Sequence, residues 1–253
     1  MRFVFCGMLL CCGLIGTAGA QQGEGSYSRK NTFTFFGEYS NTSSHILMGA
    51  SRQRILADFG AGYARRFFQF KGGALQYLVE VRPVTFESDP LAIATQTVTV
   101  TTGPGTGTVT TSTGAGVSFG VCQPSSISGT VPASPPYFPG FNYTVNTTCG
   151  RQWTFAQEVS PVGFRYSMRT SRTLQPFLAA TAGYMYSNRP IPAPDAGSFN
   201  FQFDFGAGVE VFRSKTRSVA VEARFHHLSN KNTANDNPGV DNVNYKVSYS
   251  FGR

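Results

Sequence analysis

An eight-stranded antiparallel outer-membrane β-barrel is the fold class that this sequence predicts, and three observations predict it. Charged residues make up only 13% of the chain, while Phe, Tyr, Thr, Ser and Gly are abundant; ordinary soluble domains carry roughly 25% charge. Several segments alternate apolar and polar residues, as a strand with one face toward each environment requires. The connections between those segments alternate short and long, which is how an up-and-down membrane barrel joins its strands.

Residues 1–20 read as a secretory signal: Arg2, an apolar run from Phe3 to Ile15, and the small-residue cleavage site Ala18-Gly19-Ala20. The run is too short for a stable transmembrane helix. Cys11 and Cys12 lack the small preceding residue of a lipoprotein signal, and Cys6, Cys11 and Cys12 leave with the leader. Residues 21–253 then form a single outer-membrane barrel domain.

The predicted strands are 31–40, 53–67, 74–87, 154–168, 173–186, 199–212, 217–228 and 243–251. The clearest is the sixth, with Phe199, Phe201, Phe203, Phe205, Ala207, Val209 and Val211 on one face and Asn200, Gln202, Asp204 and Glu210 on the other. In the eighth, Val243, Tyr245, Val247, Tyr249 and Phe251 oppose Asn244, Lys246, Ser248 and Ser250. Pro161 and Gly163 break the period of the fourth strand, which points to a bulge or kink there. Ala180-Thr181-Ala182 leaves the fifth weakly patterned.

Connections after the second, fourth and sixth strands are short, and the others are long. With an even strand number and an exported start, both termini lie on the periplasmic side and the long loops face outward. The longest, 88–152, is rich in Thr, Gly, Ser and Pro and reads as an elaborated extracellular loop. The Thr/Val alternation at Thr97 to Val109 suits a hairpin that extends beyond the membrane. Gly103-Pro104-Gly105 is turn-forming, and without a following Lys-Ser or Lys-Thr it is no phosphate loop. The two mature cysteines, Cys122 and Cys149, sit in this stretch. An oxidising compartment favours a disulfide between them over two free thiols, contributing about 3 to 4 kcal/mol in the chain-entropy picture.

The net charge of +8 comes from scattered Lys and Arg without a run of five or more, which argues against nucleic acid and leaves anionic membrane lipid as a partner. Only three histidines occur, His45, His226 and His227, and no Cys or carboxylate cluster joins them, so no metal site is expected.

The stretch Phe225-His226-His227-Leu228-Ser229-Asn230, with Asn235-Asp236-Asn237-Pro238-Gly239-Val240-Asp241 after it, gathers an imidazole, a hydroxyl and a carboxylate in one hairpin. Strand parity puts Val219, Val221, Ala223 and Phe225, then His227 and Ser229, on the lipid-facing side. Asp241 has the matching parity on the next strand, while Glu222, Arg224 and His226 face the interior. Polar groups on a lipid face are costly unless they lie near the interface or bond one another. Ser229 as nucleophile, His227 as base and Asp241 as the acid that orients it form one reading. A plain polar outer turn is the other.

His227-Leu228-Ser229-Asn230 followed by Asn237-Pro238-Gly239-Val240-Asp241 resembles the signature of the PagL-type lipid A 3-O-deacylases, or acyloxyacyl hydrolases. Their pattern is a His-x-Ser-Asn motif near the end of the penultimate strand and an acidic residue twelve positions after the serine. The resemblance implies an outer-membrane esterase that needs no cofactor and acts on lipid A of lipopolysaccharide. It gives Ser229, His227 and Asp241 the triad roles, Asn237 an oxyanion role and Asn230 a supporting one. Specific similarity covers about residues 219–251. The acid is Asp where the best-known members have Glu, the 88–152 loop exceeds what a minimal barrel needs, and the chain ends Phe251-Gly252-Arg253, with the aromatic ahead of the terminus. Two rival readings are a non-catalytic barrel, structural or adhesive, that works through its disulfide-tied loop, and a soluble secreted β-sandwich or lipocalin-like binder.

Overall fold

The computed structural model describes residues 26–253 except 42, 102–106, 119 and 136–137. The leader expected over 1–20, with Cys6, Cys11 and Cys12, and the turn at Gly103-Pro104-Gly105 lie outside the described residues.

The described residues form ten strands: β1 Asn31–Ser40, β2 Ile55–Phe70, β3 Gly73–Thr101, β4 Gly107–Val117, β5 Ser125–Val131, β6 Phe141–Met168, β7 Leu174–Ser187, β8 Phe199–Ser214, β9 Arg217–Ser229 and β10 Val240–Gly252. Eight of them close into a ring in the order β3-β2-β1-β10-β9-β8-β7-β6, with β6 returning to β3. Neighbours in the ring are antiparallel throughout. Closure leaves the ring without a free edge, so that backbone N–H and C=O groups pair from strand to strand, the condition a strand must meet to cross hydrocarbon. The turns at one end are short, 71–72, 169–173 and 215–216, and the connections 41–54, 188–198 and 230–239 at the other end are long.

Side-chain parity follows the sequence pattern. In β8, Asn200, Gln202 and Asp204 are buried while Phe199, Phe201, Phe203 and Phe205 are exposed on the outside. β10 repeats this, with Asn244, Lys246, Ser248 and Ser250 buried and Val243, Tyr245, Val247 and Tyr249 outward. The apolar belt is therefore external, and the polar positions fill the barrel. The period break at Pro161 is a register shift against β7 between Val159 and Val162. β3 carries shifts of its own against β6, between Tyr77 and Glu80 and between Arg82 and Thr85.

The stretch 88–152 is where the strand boundaries read from the sequence need correction. β3 and β6 do not stop near 87 and 154; they continue paired with each other as far as Thr99↔Asn142, beyond Ser88, the last β3 residue shared with β2. β4 adds to the free side of β3 and β5 to that of β6, making a four-stranded flap. Thr favours strands but gives little apolar contrast between the two faces, so the alternation that marks a strand is faint here. From Leu91 to Gly150 the sequence has no Asp, Glu, Lys, Arg or His at all. Cys122, between β4 and β5, is disulfide-bonded to Cys149 of β6.

Ion pairs fill the barrel. Arg82 lies 3.1 Å from Glu80, 3.2 Å from both Glu38 and Asp204, and 3.5 Å from Asp58 and Glu158. Arg224 reaches Glu80 at 2.9 Å and Glu222 at 3.0 Å, Lys246 bonds Glu80, and His226 meets Asp204 at 2.6 Å. Removing one partner of such a cluster leaves buried charge without compensation. Arg82→Met is therefore expected to destabilise the barrel by about 3 to 5 kcal/mol, read as a lower temperature for loss of heat-modifiable gel migration, with Arg82→Lys intermediate.

Side chains pack into both ends of the barrel. At the short-turn end Arg29 is buried, donating to Ser218 Oγ at 2.7 Å and pairing with Glu210. At the other end Ile191 from the 188–198 connection packs with Ala156, Met185, Leu228 and Val240 in an apolar cluster.

Candidate active site

At the long-loop end β9 and β10 diverge into the 230–239 connection, and their last rungs carry the residues singled out above. Asp241 and His227 are direct cross-strand partners, so their side chains leave the same face of the ladder side by side. His227 Nδ1 lies 2.6 Å from Asp241 Oδ1. Phe225, two residues before His227 and thus on the same outer face, has its ring parallel to the imidazole within 9°. His226, on the opposite face, bonds Asp204 inside the barrel, so the two adjacent histidines belong to separate environments.

Asp241 is buried although it faces outward, because part of the β1–β2 connection crosses it as a strap. The N–H groups of Leu47 and Met48 donate to Asp241 Oδ2 at 2.7 and 2.9 Å. Ser44 N donates to Asp241 O at 3.1 Å, Ala50 N to Pro238 O at 2.6 Å and Ser51 N to Gly239 O at 3.1 Å. His45 closes the strap on itself through a 2.8 Å bond between Nδ1 and Gly49 O. The carboxylate thus has one oxygen for the imidazole and the other for two backbone donors. Position 49 must be glycine for this to happen, since a Cβ there would stand 2.5 Å from Asp241 N and 2.8 Å from the Val240 carbonyl carbon.

Ser229 is the last residue of β9, two beyond His227 and so of the same parity. Its hydroxyl donates to Asn237 Oδ1 at 3.0 Å and accepts from Lys231 N at 3.1 Å. It makes no hydrogen bond to His227; proton-transfer contacts of this kind are often loose before substrate binds. Asn237 Oδ1 also accepts from Asn230 N at 3.1 Å, which fixes the amide orientation and turns its Nδ2 donor away from both groups.

Asn230 is buried and works on the loops. Its Nδ2 donates to Ala196 O at 2.6 Å and to Asp236 O, while its Oδ1 accepts from Asn232 N at 2.9 Å. These bonds tie the 188–198 connection to the 230–239 connection directly behind Ser229.

The structure therefore brings together His227 with Asp241, and Ser229 with Asn237 and Asn230. What sequence reasoning missed is the strap, in which Leu47 and Met48 act only through backbone N–H groups that no residue type announces. The one visible trace is the Gly49 that lets the strap approach. In chemical terms the cluster offers a hydroxyl, an imidazole of matching parity and a carboxylate that orients it, all on the outer surface of the barrel.

Comparison with known proteins adds the following. A family model described as lipid A 3-O-deacylase (PagL) matches residues 123–250, just over half of the chain and including all five of these residues. Among solved structures, the "outer membrane enzyme PagL" aligns with a TM-score of 0.48 at 13% identity, over 87% of this chain and 99% of that one. Neisserial surface protein A (NspA) aligns with a TM-score of 0.37 at 8% identity, over 88% of this chain and 97% of that one. No curated protein sequence matches the chain.

Proposed function

The chain belongs to the lipid A 3-O-deacylase (PagL) family, and on that premise we propose that it is an outer-membrane serine esterase that hydrolyses an ester-linked 3-hydroxyacyl chain of lipid A with Ser229, His227 and Asp241. The observation that carries this reading is the 2.6 Å bond between His227 Nδ1 and Asp241 Oδ1 on the outer face of the barrel, two residues from a serine of the same parity.

In the proposed reaction Ser229 Oγ turns from Asn237 toward His227, attacks the ester carbonyl carbon and passes its proton to His227 Nε2. Asp241 keeps the Nδ1–H in place and stabilises the imidazolium. Once the hydroxyl has left Oδ1, the Asn237 amide rotates to bring its Nδ2 donor to the developing oxyanion; a well-placed donor of this kind contributes about 3 to 4 kcal/mol. The sugar hydroxyl leaves with the proton from His227, and water then repeats the sequence on the acyl-serine to release the 3-hydroxy fatty acid. An outward site suits a substrate that lies in the outer leaflet, because the ester meets the serine without leaving the membrane. The reading includes export with a leader cleaved after Ala20 and an orientation with the long loops outside the cell.

Mass spectrometry of lipid A from cells producing the wild type or Ser229→Ala tests it. Loss of one 3-hydroxyacyl chain with the wild type only is the expected result. Identical acyl patterns, with both proteins folded in the membrane, would overturn the assignment.

Gly49→Val bears on the strap. The added side chain must lift residues 47–49 off Asp241, and a displacement of about 1 Å near reacting groups costs on the order of 100-fold. A drop of that size in the rate of fatty-acid release, with unchanged heat-modifiable migration, is the expected outcome.

A further inference from the structure

Asp241 is oriented by the strap, and the strap is held by a residue whose guanidinium bonds other groups than Ser229, His227 and Asp241. The two ends of the strap meet at Ser43: its Oγ donates to Ser51 O at 3.0 Å and accepts from Arg54 N at 2.9 Å, while Gln53 N donates to Ser43 O at 3.2 Å. Gln53 sits at φ +58, a left-handed conformation that is unfavourable for a non-glycine residue and persists only where neighbours hold it. Here Arg151 Nη1 donates to Gln53 O at 2.8 Å and Cys122 N to Gln53 Oε1 at 3.1 Å.

Arg54 is the centre of this fastening. It is fully buried at the mouth of the barrel, and its guanidinium hydrogen-bonds three carbonyls and lies against a carboxylate. Nη1 donates to Ser118 O at 2.7 Å and to Arg52 O at 3.0 Å, Nη2 to Pro192 O at 2.6 Å, and Nε faces Asp89 Oδ1 at 2.7 Å. The four partners come from the strap, the β4–β5 connection, the 188–198 connection and the base of the flap. Asp89 is one residue beyond the part of β3 that pairs with β2. Burial pushes its carboxyl up to about 6 while Arg54 and Arg151 pull the other way. A planar fork with five donors fits this arrangement, and a lysine ammonium cannot reach all of it.

We propose that Arg54 is a positioning residue for the esterase reaction: it anchors the strap to the flap base and the barrel mouth, so that the Leu47 and Met48 N–H groups hold Asp241 in line with His227. The proposal rests on the triad reading above. It makes the disulfide-tied flap part of the catalytic support, since Ser118 and Cys122, which contact Arg54 and Gln53, belong to the connection that the Cys122–Cys149 bridge fixes.

The test is a double-mutant cycle on the purified full-length protein, following release of labelled fatty acid from lipopolysaccharide. Arg54→Met is expected to lower kcat about 30-fold with KM within twofold, and Arg54→Lys to fall between it and the wild type. In the Asp241→Asn background Arg54→Met should add no further loss, because the group it positions is already disabled; a role confined to general stability would instead give additive losses. Additive losses, or a folded Arg54→Met with wild-type kcat, overturn the proposal. Should Arg54→Met fail to show heat-modifiable migration, Arg54→Lys decides by the same cycle, and if neither folds Arg54 is a folding residue and the proposal fails. A wild type that releases no fatty acid, or a Ser229→Ala that releases it normally, defeats the triad reading itself and is distinguishable from these outcomes.

Discussion

Ser229→Ala is expected to lower the deacylation rate on the order of 10⁴-fold or more, equivalent to about 5 kcal/mol or more of transition-state stabilisation. The loss is large because no other described hydroxyl shares the position beside Asn237 and at the parity of His227. Water activated by His227 would have to replace an oriented nucleophile. The fold should be untouched: Ser229 lies at the end of β9, half-exposed, and its removal costs one hydrogen bond to Asn237 and one from Lys231. Single-turnover release of labelled fatty acid, together with heat-modifiable migration of the variant, separates the two quantities.

Asp241→Asn is expected to cost on the order of 10³- to 10⁴-fold, for a reason that the strap makes specific. Oδ2 receives two backbone donors, Leu47 N and Met48 N, so the carbonyl of the substituted amide must take that side. The amide NH₂ then faces His227 Nδ1 and donates to it. Nδ1 becomes the acceptor, the ring proton moves to Nε2, and the nitrogen that should accept the proton of Ser229 no longer has a lone pair to do so. An Asn that behaves like wild type in the same release assay would show that Asp241 has no part in setting the tautomer. Asp241→Glu keeps the charge but adds a methylene against the backbone of Gly49, so an intermediate rate is expected.

Much of this was legible in the residues. Strict period-two alternation in Phe199 to Val211 and Val243 to Phe251 marked β8 and β10 because one face meets lipid and the other the polar interior, a contrast sharp enough to read by eye. The same parity put His227 and Asp241 on one face, and antiparallel pairing did the rest, since the two are cross-strand partners. The upper halves of β3 and β6, with β4 and β5, were not legible as strands of the right length. Outside the membrane neither face of a strand is obliged to be apolar, and Thr and Ser serve both. Around Arg82 and Pro161 the register shifts move residues between faces, so parity carried across them fails. The strap was hidden for a different reason: it works through main-chain donors, and its anchor, Arg54, is one of many scattered arginines until the chain folds around it.

The flap stands clear of the barrel ring, carried by the extensions of β3 and β6. In the outward orientation proposed above, it rises through the most highly charged layer of the cell surface, where lipid phosphates and their counter-ions are dense. With no Asp, Glu, Lys, Arg or His from Leu91 to Gly150, it is held by neutral bonds such as Ser128 to Thr144 at 2.9 Å and Thr130 to Asn142 at 2.7 Å. An ionic atmosphere has nothing there to screen. The flap can therefore keep its shape through swings in salinity and divalent-cation supply that rearrange the glycolipids around it.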